Sequence, residues 1–424
     1  MKVLLVNTNE TTGGAAIACL RLMSALQKTD IDVKLLVKKK SSNHPRIIAV
    51  EKNRRTRCIG FIRFAWERFV IFFHNRYSRK NLFSVSIANT GFDLTSCPEV
   101  QEADIIHLHW INQGLLSLND IQKLCDLGKP VVWTLHDLWP ITGICHHPGT
   151  CTRYLHRCGN CPQLQHPSSQ DLSFRTWKNK KFLRQSNITF VSVSRWLQQK
   201  ARQSALTGDL SHAIIPNTLD TDIFYRQEPE TIRQKLSISS DEFVVLFGAA
   251  KLNDPIKGFD MLCRALHTAP VRKIGKLHLL LFGNIKNAPH FLESIPCKYT
   301  YLGPMSDMSD IAGLYSAADV TVVSSHYETF GQTLIESMAC GTLTVAFNQG
   351  GQTDIIDHLE TGYLARYPSA DDLGNGILWA YQHKGNRPLQ EKCIENARKK
   401  YSEKTIASQY RTLYQELLNI RSQS

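Results

Sequence analysis

Runs of uninterrupted apolar residues, each followed by a turn and then by hydrophobics at helical spacing, recur along the chain. Lys2 to Asn7, Asp32 to Val37, Asp104 to Leu108, Pro130 to Leu135 and Ile188 to Val193 form one series. Phe243 to Gly248, Lys276 to Phe282, Asp319 to Val323 and Thr342 to Phe347 form a second. Segments apolar on both faces belong to strands covered on both sides, which predicts parallel sheets flanked by helices. Helices are expected at Ala15 to Lys28, Phe259 to His267, Met308 to Ala317 and Thr333 to Cys340, with one or two closing helices over Glu391 to Leu418. The pattern divides the chain into α/β units at 1–216 and 217–400, and a helical end at 401–424. Ile215-Pro216-Asn217-Thr218 and the polar stretch Arg226 to Ser240 read as a linker followed by a surface segment.

Composition excludes several classes. With 42% hydrophobic and 21% charged residues over 424 positions, the chain is neither disordered nor fibrous. Twelve cysteines are too few for a disulfide scaffold, and the polar run Asn7 to Thr12 leaves no long apolar leader, so a reducing cytoplasm is the expected location. The net charge of +13 is one-sided: residues 1–216 hold 29 Lys and Arg against 14 Asp and Glu. Such a field attracts anions, whether nucleic acid, acidic lipid headgroups or a phosphorylated substrate; a solvated basic surface is the plain alternative.

Two local features stand apart from the α/β pattern. Residues 52–81 carry nine Lys or Arg and a single acid, Glu67, around Phe61, Phe64, Trp66, Phe69, Phe72 and Phe73. Too short and too charged to span a bilayer, this segment reads as a basic amphipathic helix for an anionic membrane surface, or as an ordinary packed helix with a basic rim. The second feature is Cys145, Cys151, Cys158 and Cys161, with Cys158 and Cys161 in a C-x-x-C knuckle. Four thiols in a loop without its own core suit a structural zinc; free or redox-active thiols and disulfides are the other readings. The remaining eight cysteines read as small core residues.

The chemistry concentrates at strand ends. Ser324 to Gly341 runs from a strand through Glu328 and Gly331 into a helix bearing Glu336, where main-chain N–H groups at the helix start favour an anion. Lys251 and Lys257-Gly258 follow another strand and can neutralise a pyrophosphate. His136 stands at the end of a third strand, as a site residue or as a core histidine. Asp220-Thr221-Asp222 is a literal D-x-D in the linker, away from any apolar strand, and is not assigned a metal.

Taken in order, Gly13-Gly14-Ala15, Thr134-Leu135-His136-Asp137, Val193-Ser194, Ile215 to Phe224, Lys251 with Lys257-Gly258, Tyr301-Leu302-Gly303, Ala318-Asp319-Val320 and the E-x7-E of Glu328 and Glu336 resemble the glycosyltransferases of family 4 over nearly the whole chain. The resemblance implies the GT-B fold, two Rossmann-like domains with parallel sheets facing across a cleft, the last helix returning to the first domain. It implies retaining transfer of a sugar from a UDP- or GDP-linked donor, with no metal required for catalysis. Glu336 would hold the ribose; Glu328, with the main chain of Phe330, Gly331, Gln332 and Thr333, would meet the donor sugar and diphosphate. Lys251 and Lys257 would balance the leaving group, Lys251 standing where the family usually has arginine. Gly13 and Gly14 would leave room for phosphate or acceptor, and His136 would face the donor sugar. The acceptor implied is a glycan or a lipid-pyrophosphate-linked glycan of surface polysaccharide synthesis, at the inner membrane face. No nucleic acid is expected. A nucleic-acid-binding protein, a non-catalytic scaffold and a sugar-nucleotide epimerase of the same architecture are the rival readings.

Overall fold

The computed structural model describes residues 1–286, 288 and 290–423, with side chains through 420. Contacts divide the chain into two compact units, Met1–Pro216 with the segment from Ile406 onward, and Asn217–Thr405.

In the first unit Lys2–Asn9 (β1), Asp32–Lys39 (β2), Ile47–Ala49 (β3), Ile105–Leu108 (β4), Val131–Leu135 (β5), Ile188–Ser192 (β6) and Ser211–Ile214 (β7) pair in the order β3-β2-β1-β4-β5-β6-β7. Every pairing is parallel. Val3 stands opposite both Val33 and Ile105, so the middle of β1 is buried on both faces, as its unbroken apolar sequence requires. Leu22 and Leu26 of the helix Gly14–Gln27 close one side of this core together with Ile406, Tyr410 and Tyr414 of the last helix, Glu403–Gln423. The two tyrosines bring their hydroxyls to partners: Tyr414 meets Nδ1 of His107 at 2.7 Å, and Tyr410 meets Thr134 Oγ1 at 2.9 Å. Buried phenols are thereby satisfied rather than stranded.

The second unit repeats the plan. Phe243–Lys251 (β8), Leu277–Asn284 (β9), Lys298–Tyr301 (β10), Val320–Val323 (β11), Leu343–Phe347 (β12) and Gly362–Ala365 (β13) pair in parallel in the order β10-β9-β8-β11-β12-β13. In both sheets the strand order reverses beside the first strand of the unit, between β1 and β4 and between β8 and β11. Ligands of open α/β sheets gather beyond the carboxyl ends of strands at such a reversal.

Two expectations are corrected. The polar stretch Arg226 to Ser240 is not merely a surface segment: it contains the helix Pro229–Lys235, held by buried Arg233, which pairs with Asp319 at 2.9 Å and donates to the Ala317 carbonyl. A guanidinium used as an anchor leaves no hydrophobic periodicity to read. Of the eight cysteines outside the loop, Cys19, Cys125, Cys263, Cys340 and Cys393 are buried, whereas Cys97 and Cys297 are half-buried and Cys58 is exposed on a helix. No described helix is long and apolar enough to cross a membrane.

Candidate active site

The clearest constellation lies in the second unit, beyond the ends of β8 and β11. After β8 the chain makes a tight turn over Pro255–Lys257 and reverses at Gly258, whose φ of +65° favours glycine. A Cβ at Gly258 would overlap the Ser324 carbonyl oxygen, so no other residue lets the two loops approach. The contact is stitched by His326 N–H donating to the Ile256 carbonyl at 2.8 Å and by Ser324 Oγ donating to the Gly258 carbonyl at 2.7 Å. Their register puts Lys257 Nζ 2.9 Å from Glu328 Oε2, with both side chains partly open to solvent. Glu328 raises the Lys257 pKa above the ordinary lysine range, outweighing burial, so the ammonium stays charged at physiological pH.

The Glu328 loop is clamped from its other side. Gly351 N–H donates to the Glu328 carbonyl at 2.8 Å, and a Cβ at Gly350 or Gly351 would overlap the carbonyls of Glu328 and Thr329. Phe330 turns its ring edge-on to Tyr401 and is 3% exposed as a whole residue. Gly331, at φ +119°, then opens the helix Gln332–Ala339, and Gln332 Nε2 reaches the Thr218 carbonyl at 3.3 Å. The first N–H groups of a helix have no partner within it, and they gather here beside a lysine.

Glu336, one turn into that helix, is 8% exposed and accepts from the Tyr315 hydroxyl at 3.0 Å. Burial, then the Glu336 charge, pushes the Tyr315 phenol well above its ordinary range, so it acts as a fixed donor. Tyr315 had no sequence signal beyond its place in the apolar helix Met308–Ala317. The packing of Ser324, Gly350 and Gly351 was equally hidden, because it depends on non-local contact. Lys251 is exposed at the end of β8 and makes no ion pair with the described residues. The structure thus joins Lys257, Glu328, the Phe330–Thr333 main chain and Glu336 in one neighbourhood of the second unit and leaves Lys251 at its rim.

Gly13, Gly14 and His136 belong to the first unit. A Cβ at Gly13 or Gly14 meets nothing within 4 Å, and Gly13 has φ +93° at the start of its helix, so the space beside this turn is open. His136 follows β5, with Nε2 2.9 Å from Nδ1 of His109, which follows β4. His107, within β4, continues the chain of groups through Thr134 Oγ1 at 2.7 Å. Burial lowers the pKa of His107 to about 3 and of His136 to about 4, which keeps these imidazoles neutral. For Asp137, burial raises the pKa, but the His146 imidazole at 2.6 Å outweighs it and holds the carboxyl at about 2. Trp110 Nε1 donates to the same carboxylate at 2.9 Å. His136 directly follows β5, whereas the helix bearing Glu336 is reached from β11 through the clamped 324–331 loop.

Comparison with known proteins gives the fold and the family. Residues 12–223 match the family model described as Glycosyltransferase Family 4, and residues 228–400 match Glycosyl transferases group 1. An uncharacterized glycosyltransferase of Methanocaldococcus jannaschii is 23% identical over 79% of this chain and 90% of its own. A D-inositol 3-phosphate glycosyltransferase of Corynebacterium aurimucosum is 23% identical over 96% of this chain and 92% of its own. Among solved structures, sucrose-phosphate synthase from Thermosynechococcus elongatus superposes with a TM-score of 0.69 at 20% identity, covering 99% of this chain and 100% of that one. HepE of Anabaena in complex with UDP gives 0.66 at 16% identity, covering 98% and 100%. The fold is GT-B, and the chain belongs to the family 4 glycosyltransferases.

Proposed function

We propose that the protein transfers a sugar, with retention and without a catalytic metal, from a nucleoside diphosphate donor to a glycan or lipid-linked glycan at a membrane surface. The observation that carries the donor half is the Lys257–Glu328 pair at 2.9 Å beside the start of the helix that bears Glu336. Leaving-group departure puts negative charge on the diphosphate and positive charge on the sugar ring. A fixed ammonium and helix N–H groups oppose the first charge, and the Glu328 carboxylate opposes the second. Glu336, held by Tyr315, is the acceptor for ribose hydroxyls. His136, neutral through burial, is a hydrogen-bonding group for the donor sugar rather than a cation. The solved relative in complex with UDP supports a uridine donor in particular.

The test is donor-induced thermal stabilisation with a panel of nucleotide sugars, on the parent and on Lys257→Ala and Glu336→Ala. Each variant should lose the shift; a variant stabilised as much as the parent refutes the assignment. Turnover should persist with a chelator, and loss restored by magnesium or manganese would refute metal independence. Asp220, Asp222 and Glu403, whose carboxylate oxygens lie within 4.8 Å of one another, are the described group such a result would implicate.

The membrane half rests on a separate observation. Along the helix Arg54–His74, Ile62, Trp66, Phe69 and Phe73 fall on one face and are 49–58% exposed. Tyr77 and Phe83 extend the patch at 65% and 66% exposure. Glu67, the only acid of 52–81, points inward: it is fully buried, accepts from the N–H groups of Ile87 and Ala88 at 2.8 and 2.9 Å, and pairs with Arg68 at 2.8 Å. The outward face therefore shows aromatic rings rimmed by Lys52, Arg54, Arg55, Arg57, Arg76, Arg79 and Lys80 and no negative charge. Contiguous exposed apolar surface with a cationic rim suits an anionic lipid interface.

A further inference from the structure

The loop that follows β5 has little regular structure, yet Cys145, Cys158 and Cys161 are each 6–7% exposed within it. All four loop cysteines, including half-buried Cys151, line one cavity of about 10 Å³, with Ile144 and Tyr154 completing its wall. That volume admits a single small ion or water. None of the four is in a disulfide. The knuckle Cys158–Cys161 turns back on itself through Gly159 at φ +141° and Asn160 at φ +46°, and Asp171 accepts from Cys161 N–H at 2.8 Å to fix it. Main-chain N–H groups are aimed at sulfur: Gly143 donates to Cys158 Sγ at 3.2 Å, and Gln163 donates to Cys161.

A second observation is independent of the thiols themselves. Lys180 is completely buried, and among the described residues its ammonium makes no ion pair with a carboxylate within 4.0 Å. It donates to the carbonyls of Trp139 and Thr142 at 2.5 and 3.0 Å and lies 3.4 Å from the Trp139 ring centroid. Burial lowers the Lys180 pKa to about 7, and Cys158, Cys145 and Asp137 act in the opposite direction. A cation taken wholly out of water is stabilised by a nearby anion, and the loop thiols, as thiolates, would supply one beside the Asp137 carboxylate.

We infer that Cys145, Cys151, Cys158 and Cys161 form a tetrahedral zinc site whose net negative charge is partly offset by buried Lys180. On binding, the four thiols release four protons and zinc takes four sulfur bonds, leaving a dianionic centre that one ammonium half neutralises. Among the described residues no three of the four sulfurs lie within 4.8 Å of one another, so metal uptake would have to draw them together. The consequence for the fold is local. His146 follows Cys145 and holds Asp137 at 2.6 Å, so the metal braces the segment that carries His136. Thiolate-rich tetrahedral coordination selects zinc over hard cations.

The full chain, purified without chelator, should contain about one zinc per molecule, and less than about half an equivalent overturns the site. Cobalt exchanged into the parent should give thiolate charge-transfer and tetrahedral d–d bands; their absence overturns the thiolate coordination. Cys158→Ser and Cys161→Ser should each lose the metal. If they fail to fold, the parent's cobalt spectrum and the proton and zinc release on mercurial titration carry the test instead. Lys180→Met should surrender zinc at least about tenfold more readily to a competing chelator, which is the loss of about 1.4 kcal/mol of counter-charge; unchanged retention removes Lys180 from the proposal. Metal-stripped protein should become protease-sensitive within 145–171. Four free thiols without metal, a disulfide, or bound iron in place of zinc would each refute the inference.

Discussion

Replacing Trp66, Phe69 and Phe73 together by serine probes the membrane face without touching the fold. Rings of this type carry roughly 150–250 Å² of surface, and those three are 52%, 52% and 49% exposed. About 100 Å² per side chain is therefore available for burial in lipid, worth about 2.5 kcal/mol each at about 25 cal/mol/Å² if fully immersed. Interfacial helices sink only part of the way, so about half of the sum, 3–4 kcal/mol, is the reasonable expectation. The partition coefficient onto vesicles rich in anionic lipid should fall by at least about 100-fold. Because the rings cover no core, the thermal midpoint should barely move, each exposed site contributing within about 0.5 kcal/mol. Co-sedimentation with vesicles of varied anionic fraction, read beside a thermal melt, measures both. Undiminished vesicle binding by a folded triple variant, or binding indifferent to lipid charge and salt, would refute the reasoning.

Other expectations are quickly stated. Folding stability should decline as pH drops from about 6.5 toward 4, because unfolded histidines take up protons in that window while His107 and His136, with folded values of about 3 and 4, do not; each contributes up to about 1.4 kcal/mol per pH unit. A His107→Gln variant should flatten that slope in urea titrations, and an unaltered slope would exclude His107 as a source. Gly258→Ala forces a side chain into a left-handed backbone and against Ser324, so it should cost about 1–3 kcal/mol and abolish donor binding, as calorimetry would reveal. Tyr315→Phe removes the phenol that donates to Glu336; it should raise the donor KM several-fold with a smaller change in kcat, and equal loss in both would instead indicate a role at the transition state.

The central strands were legible because burial on both faces writes an unbroken apolar run: β1, β5 and β12 need no tertiary information to be seen. The strands that the sequence hides are β3, β7, β10 and β13, short and at or near sheet edges, where half-exposed residues such as Ser211, His212 and Lys298 dilute the signal. Similar reasoning separates the site residues. Gly331 and Glu336 could be found by spacing because helix geometry links them locally, and their roles were named by family resemblance. Tyr315, Gly350 and the His107–His109–His136 series come from distant segments that meet only when the sheet forms. The inward turn of Glu67 could not be read at all. A lone acid in a basic helix looks like surface until its backbone partners, Ile87 and Ala88, are in place.

The discontinuity of the first unit has a consequence for how the chain is made. Ile406, Ala407, Tyr410 and Tyr414 close a core whose other buried members were synthesised before the entire second unit. During vectorial synthesis the N-terminal sheet must wait, its groove beside His107 and Thr134 lacking a lid, until translation nears completion. Nascent chains stalled before Ile406 are therefore expected to engage holdase chaperones through that groove, and release of the final helix is the event that lets them go.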